Sequence, residues 1–288
     1  MTTSLRSTPP TAEKAAARAE ADARALAEHS GVVVRELHTP DEMIAASRLL
    51  AEIWHVEENK SHLDPGLLVA LAHADNYVAG AYHEGRLVAV CVGFFHPPSD
   101  HSVHSHIAGV ADGFLGAGVG KALKHHQRAW CLRKGADSIT WTFDPLVARN
   151  AYFNIHRLGT TATAYLPDFY GAMTDGINRG QPSDRMLLVW DLYGEPPADP
   201  AAEASSASER YALRSIDREP VLDLAGVADS ASCRVQIPSD IERMRLESPE
   251  LSARWRLAVR DALTTLMDDG WRVTDFTRAG DYCLERAV

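Results

Sequence analysis

From Ala108 to Leu123 the chain reads Ala-Gly-Val-Ala-Asp-Gly-Phe-Leu-Gly-Ala-Gly-Val-Gly-Lys-Ala-Leu, with Gly116, Gly118 and Gly120 at alternate positions. Glycines at this spacing let the backbone turn tightly and leave its N–H groups uncovered, beside a helix terminus whose dipole favours an anion. The chemistry they point to is phosphate binding. A nucleotide P-loop would need glycine at 115 and Ser or Thr at 122, where Leu115 and Ala122 stand. A dinucleotide loop read from Gly116 would need glycine at 121, where Lys121 stands. Upstream, His104 and His106 alternate along the strand that ends at this loop, and an imidazole takes up a proton near neutral pH. Downstream, Asp144 ends a further strand, either as an acid–base group or as the cap of the Asp144-Pro145 bend. His96, His101, His104 and His106 lie close together in sequence but have no carboxylate or cysteine at ligand spacing, so no metal is expected.

The loop resembles the acyl-CoA loop of the GNAT-type N-acetyltransferases, roughly Val-x-Pro-x-Tyr-Arg-Gly-x-Gly-x-Gly, with Val110, Phe114, Gly116, Gly118 and Gly120 in register. Two positions depart from it: Asp112 replaces the usual proline and Leu115 replaces Arg or Gln. The resemblance implies acetyl-CoA or another acyl-CoA as co-substrate, held by Gly109, Val110, Leu115, Gly116, Gly118, Val119, Gly120 and Lys121. It also implies a contact of Asn150 with the CoA arm and of the Val110 amide with the oxyanion. The tyrosine that commonly protonates the departing thiolate is replaced by Ile155, which leaves Tyr152 or Tyr165 for that role. The reaction implied is direct attack of an amine on the acyl-CoA. An amine of pKa about 10 is mostly protonated at neutral pH, so a base would be worth roughly a hundredfold or more in rate. His106 is the first candidate for that base and His104 the second. The segments 140–145, 149–154 and 158–159 resemble a bacterial branch of the same superfamily, which implies the fold and the cofactor but no particular acceptor. The alternative is a protein that keeps the fold and binds acyl-CoA without turnover, since Leu115 and Ile155 stand where functional side chains are usual.

The elements that position these residues are legible in the periodicities. Residues 11–30 form a helix with alanines for most of its apolar face, expected to be solvated and peripheral. A strand at 32–37, a helix opened by Thr39-Pro40, a second at 64–71 and a hairpin of 77–82 with 86–95 follow. Residues 87–92 are apolar throughout, which predicts a strand buried on both faces. Strand 102–110, helix 118–134, strand 138–143, helix 149–158 and strand 186–192 complete an order that resembles the GNAT fold: α/β (α+β), with a mixed, mostly antiparallel central sheet. His125 and His126 are read as solvated on the helix surface, and Trp54, Trp130, Trp141 and Trp255 as core.

The expected division is a leading helix over 1–30, an acyl-CoA-binding domain over 31–193, a linker over 194–209 and a small α+β domain over 210–288. That last part would pack on the first domain or on a second subunit, as a homodimer. In it, strands are expected at 211–216 and 232–237, a helix from Ser248-Pro249 to Gly270, and a closing hairpin of 271–276 with 282–286. The composition, 288 residues with 45% hydrophobic and 24% charged, describes a soluble globular protein. A formal net charge of -10 argues against a nucleic-acid or anionic-membrane surface, leaving a small-molecule or peptide amine as partner. The four cysteines are far apart with no Cys-x-x-Cys pair, which points to free thiols and a cytoplasmic setting.

Overall fold

The computed structural model describes residues 12–56, 63–171, 182–194 and 210–286. The chain divides into two compact units, Met1–Ile139 with Asp191–Gly194, and Thr140–Trp190 with Glu195–Val288. In the first unit, helix α1 (Ala12–His29) is followed by strand β1 (Val33–Glu36) and helix α2 (Pro40–Ile53). Thr39 and Glu42 form a capping box at the start of α2, with Pro40 in its first turn. Helix α3 (Pro65–His73) is capped by Asp64, whose carboxylate accepts from Gly66 N and Leu67 N. Strands β2 (Tyr77–His83) and β3 (Arg86–Phe95) form the expected hairpin. Its turn residues Glu84 and Gly85 both have positive φ, at 49° and 82°, as a tight hairpin turn requires. Strand β4 (Ser102–Val110) then feeds helix α4 (Val119–Arg133), and Gly135 at φ 79° stops it.

The run Val88 to Val92 is fully buried, because α2 packs on β3 from one side and α4 from the other. Leu37, Met43, Ala46, Leu50, Leu68, Val78, Val90 and Val92 make the core beneath α2. Two expectations about this unit are corrected. The alanine face of α1 is not solvated: Ala15, Ala19 and Ala23 are buried, and α1 packs along α4. Methyl side chains allow helices to approach closely, so an alanine stripe that looks weak in sequence suffices here. His125 and His126 are likewise partly buried, since α4 is covered by the sheet and by α1. His126 Nδ1 lies 2.8 Å from the Tyr77 hydroxyl, and burial pushes the His125 pKa down to about 4, helped by Lys121 and Arg128. Trp130, Trp141 and Trp255 are core as expected, whereas Trp54 is half-buried.

In the second unit, strand β5 (Ser138–Phe143, its first two residues belonging to the first unit) leads into helix α5 (Ala148–Ala151). A π-helical turn, Tyr152–Arg157, continues α5, where the sequence pattern predicts one uninterrupted α-helix. Leu158 N donates to Phe153 O at 3.0 Å, five residues back, and Gly159 ends the turn at φ 70°. Strands β6 (Thr161–Leu166) and β7 (Arg185–Asp191) pair antiparallel. The sequence pattern misses β6, whose Thr-Ala-Thr-Ala start offers almost no hydrophobic alternation. The strand order β1-β2-β3-β4-β5-β7-β6 makes a seven-stranded, mostly antiparallel sheet.

Residues 210–286 contain β8 (Tyr211–Ile216), β9 (Glu219–Leu222), β10 (Ser232–Gln236), α6 (Ile241–Glu247), α7 (Pro249–Asp268), β11 (Trp271–Phe276) and β12 (Asp281–Arg286). Their strands form a second sheet in the order β11-β12-β10-β8-β9. β9 and α6 are additions to the sequence reading, both too short to leave a periodic signal. Apart from Gly194, the linker expected over 194–209 lies outside the described residues. The cysteines are free, Cys91, Cys131 and Cys233 being buried. Among the described residues no helix is long and apolar enough to cross a membrane.

Candidate active site

In the first unit the site residues gather on β4 and the turn after it. Across the β3–β4 ladder Val92 pairs with Ile107 and Gly93 with Ser105, so His106 is an extra residue in β4, a β-bulge. Strict alternation is therefore broken at His106. Its ring still lies 6.1 Å from that of His104, and Phe94 sits against both at 5.2 and 5.8 Å. His106 is exposed and Phe94 is 37% exposed, while His104 is half-buried. Burial pushes the His104 pKa down to about 4, and the neighbouring His106, His96 and Lys124 act in the same direction. At neutral pH His104 is thus an uncharged ring beside an exposed imidazole and a phenyl face. Among the described residues no group of three or more His, Cys, Asp or Glu is arranged to hold a metal ion.

The bulge on the other side is held from below. Ser105 is buried and its hydroxyl accepts from Lys124 Nζ at 2.9 Å, while Lys124 also donates to Gln127 Oε1 at 3.0 Å. Burial pushes the Lys124 ammonium down to about 8, against the pull of Cys91 and Cys131. The gap to the ordinary Lys value corresponds to roughly 3 kcal/mol, of which about half is offset by hydrogen bonds that an apolar replacement would leave unmade. Lys124→Met is therefore expected to raise stability at pH 7 by about 1–2 kcal/mol. A base with a lowered folded pKa loses its proton first in the folded state, so wild-type stability rises with pH from about 8 toward 10.5. Denaturant unfolding across that range is expected to show this slope in the wild type and its loss in Lys124→Met.

The turn beyond β4 is set by tight backbone turns and glycines. Ala111 N donates to Val88 O at 2.9 Å, and Phe114 N and Leu115 N close two successive tight turns on Ala111 O and Asp112 O. Gly116 and Gly118 then take φ values of 78° and 85°, the left-handed region that an L side chain rarely adopts. Gly118 is the N-cap of α4 and supplies no side chain to its first N–H groups. A Cβ at Gly116 would meet nothing within 4 Å, so the turn faces open space, whereas one at Gly118 would lie 2.7 Å from Ser30 Oγ. Val119 is buried and Lys121 half-buried at the start of the helix. Leu115 is 57% exposed, an apolar side chain at the position where the resemblance calls for a polar one. Gly109 has a packing reason of its own: a Cβ there would be 2.6 Å from Trp54 Cζ3.

In the second unit Asp144 is not an open acid–base group. Arg256 donates to both its carboxylate oxygens at 2.8 and 2.7 Å, Arg245 adds a bond at 2.6 Å, and Leu146 N a fourth at 3.0 Å. Burial would raise this carboxyl, but Arg256 and Arg245 reverse the effect and hold it well below the usual carboxylate range. Tyr165 is also committed, donating to Asp184 Oδ2 at 2.7 Å, with burial and the Asp184 charge pushing its phenol upward. Tyr152 is more accessible: it is partly exposed, and its hydroxyl accepts from Arg278 Nε at 3.0 Å. Asn150 is exposed on α5. Arg245, Arg256, Phe94 and Lys124 escaped the sequence reading. For Arg256 a signal existed, because it falls in the apolar stripe Ser252, Trp255, Val259, Leu263 of α7, where a charge demands a buried partner.

No family model matches the chain, and no curated protein matches it. Among solved structures the chain is similar to the ribosomal-protein-S18-alanine N-acetyltransferase of Escherichia coli, at 12% identity, covering 59% of this chain and 99% of that one, TM-score 0.46. It is also similar to a GNAT-family acetyltransferase from Streptococcus pneumoniae, at 13% identity, covering 55% of this chain and 97% of that one, TM-score 0.43. A Salmonella typhimurium structure holding its cofactor acetyl-CoA is 17% identical, with 59% of this chain and 99% of that one covered, TM-score 0.46.

Proposed function

We propose that this protein transfers an acetyl or other acyl group from acyl-CoA to an amine of a small molecule or peptide. The observation that carries the reading is the bulged strand β4 running straight into an uncapped helix N-terminus through two left-handed glycines. The backbone amides of Gly116, Gly118, Val119 and Gly120 and the Lys121 ammonium are suited to the pyrophosphate, with Leu115 contributing only apolar contact and the Ala117 amide already donated to Phe114 O. The exposed imidazole at the bulge takes the proton from the attacking amine, and the Val110 amide is assigned the oxyanion. Asn150 and Tyr152 are assigned the CoA arm and the departing thiolate, the roles that the resemblance gives to this helix. Asp144 is left out of the proton transfers, since both its oxygens are committed to arginines.

Calorimetric titration of the full chain with acetyl-CoA and with free CoA tests the reading at its base. Saturable binding of both is expected, followed by release of free CoA when acetyl-CoA and a panel of primary amines are mixed with the protein. Absence of binding overturns the reading. Binding without release, for any amine and any acyl donor, would favour the acyl-CoA-binding protein that Leu115 and Ile155 suggest.

A further inference from the structure

Beneath the bulge that carries His106, the inner face of α4 holds polar groups that work against the stability of the fold. Lys124 is 5% exposed, and its ammonium donates to two neutral groups, Ser105 Oγ and Gln127 Oε1. Gln127 is fully buried, and its Nε2 finds no partner among the described residues. A buried charge and a buried N–H without an acceptor are both costly. Apolar side chains at 124 and 127 would pack on the sheet without either penalty, so packing does not explain the pair. Destabilising groups kept together in a folded chain point to a role in function.

What the pair holds is the bulge. Ser105 stands between His104 and His106, and Gly93 faces it across the ladder, so His106 has no residue opposite to fix it. A Cβ at Gly93 would lie 2.8 Å from His104 O and 3.0 Å from Gln127 Nε2, so glycine is required there. The hydrogen bond from Lys124 ties Ser105 to α4 from beneath the sheet. Phe95 meets Trp130 of α4 at 5.6 Å, which places its neighbour Phe94, and the rings of His104 and His106 beside it, on the face away from α4. The tether on one face thus sets two imidazoles on the other. The buried ammonium also opposes a second positive charge on His104, which leaves the proton to His106.

We propose that Lys124 and Ser105 are positioning residues: by tying the β4 bulge to α4 they hold His106 where it takes the proton of the attacking amine. The inference rests on the acyltransferase reading with His106 as its base. In the step concerned an N–H bond of the amine breaks, its electron pair stays on nitrogen, and the proton passes to the His106 ring. Lys124 keeps its own proton throughout. Neither Lys124 nor Ser105 touches a reacting atom.

The test compares variants of the full chain with acetyl-CoA and the best amine of the panel. Lys124→Met is expected to be more stable than the wild type and yet to lower kcat about tenfold, with the KM for acetyl-CoA changed less than about twofold. A lysine with a merely structural role would not give a more stable and slower enzyme. Ser105→Ala should lower kcat by about the same factor, and the Lys124→Met, Ser105→Ala double variant should be no slower than the slower single one. In a His106→Ala background Lys124→Met should change kcat less than about twofold, because the tether serves the base alone. Independently of turnover, amide hydrogen exchange at residues 104–107 should quicken about tenfold in Lys124→Met while the core of β3 becomes better protected. A wild-type kcat in Lys124→Met, unchanged exchange at the bulge, or a loss that persists in full without His106 overturns the proposal and leaves the acyltransferase reading intact. A wild type that neither binds CoA nor releases it from acetyl-CoA overturns both.

Discussion

Replacing Asp144 with asparagine is expected to cost roughly 3–5 kcal/mol of stability. The side chain keeps its shape, but Arg245 and Arg256, 4% and 1% exposed, then face a neutral amide where the Asp144 charge stood. Asp184, fully buried and bound by Arg260 and Tyr165, holds the adjoining part of the network and acts on Arg256 only through its charge, without a hydrogen bond to it. Denaturant or thermal unfolding followed by circular dichroism measures the loss. With two compact units the transition of the second is the one to follow, and a single two-state fit is not assumed. The sign of the pH dependence follows from the lowered folded pKa of Asp144. Its contribution is complete above the unfolded value near 4 and disappears only as pH falls through the lower folded value. The wild type therefore keeps this term down to about pH 4, and Asp144→Asn lacks it at every pH. Replacing Asp144, Arg245 and Arg256 together by apolar residues of similar volume should restore most of the loss. A cost below about 1 kcal/mol for Asp144→Asn would mean that water reaches the cluster.

His106→Ala is expected to lower kcat about a hundredfold or more and to leave the acetyl-CoA affinity within about twofold of the wild type. His106 is exposed at the bulge, so its removal opens no cavity and unfolding should not change measurably. The loss should shrink for amines of low pKa, which are already unprotonated at the assay pH and need no base to free the lone pair. His104→Ala should cost less, since His104 is half-buried and held neutral beside Phe94 and His106. An unchanged kcat in His106→Ala would assign deprotonation to water, and the acyltransferase reading would survive without its base.

Most of the first unit could be read from the chain because its signals are local. Thr39-Pro40-Asp41-Glu42 carries a helix start in four residues, and Glu84-Gly85 carries a hairpin turn in two. The spacing of Gly116, Gly118 and Gly120 specifies a turn and a helix start, and two of the three, Gly116 and Gly118, take positive φ. β6, β9 and α6 stayed hidden because a strand of alternating Thr and Ala, or an element of four to seven residues, has no period to detect.

By itself the sequence determined most of the elements, the glycine turn and the choice of a candidate base, since each depends on residues close together in the chain. Tertiary structure alone decided what each polar side chain is free to do. Asp144 looks like a cleft acid in sequence, and only the approach of Arg245 and Arg256, more than a hundred residues away, turns it into a buried ion-pair hub. Tyr152 and Tyr165 are equivalent candidates in sequence. Asp184 binds the hydroxyl of Tyr165 inside the core, and Arg278 meets the hydroxyl of Tyr152 near the surface. The physical reason is the same in each case. A helix or a turn follows from the propensities of neighbouring residues, whereas the charge, protonation and reach of a side chain follow from burial and from partners that only the folded chain brings within 3 Å.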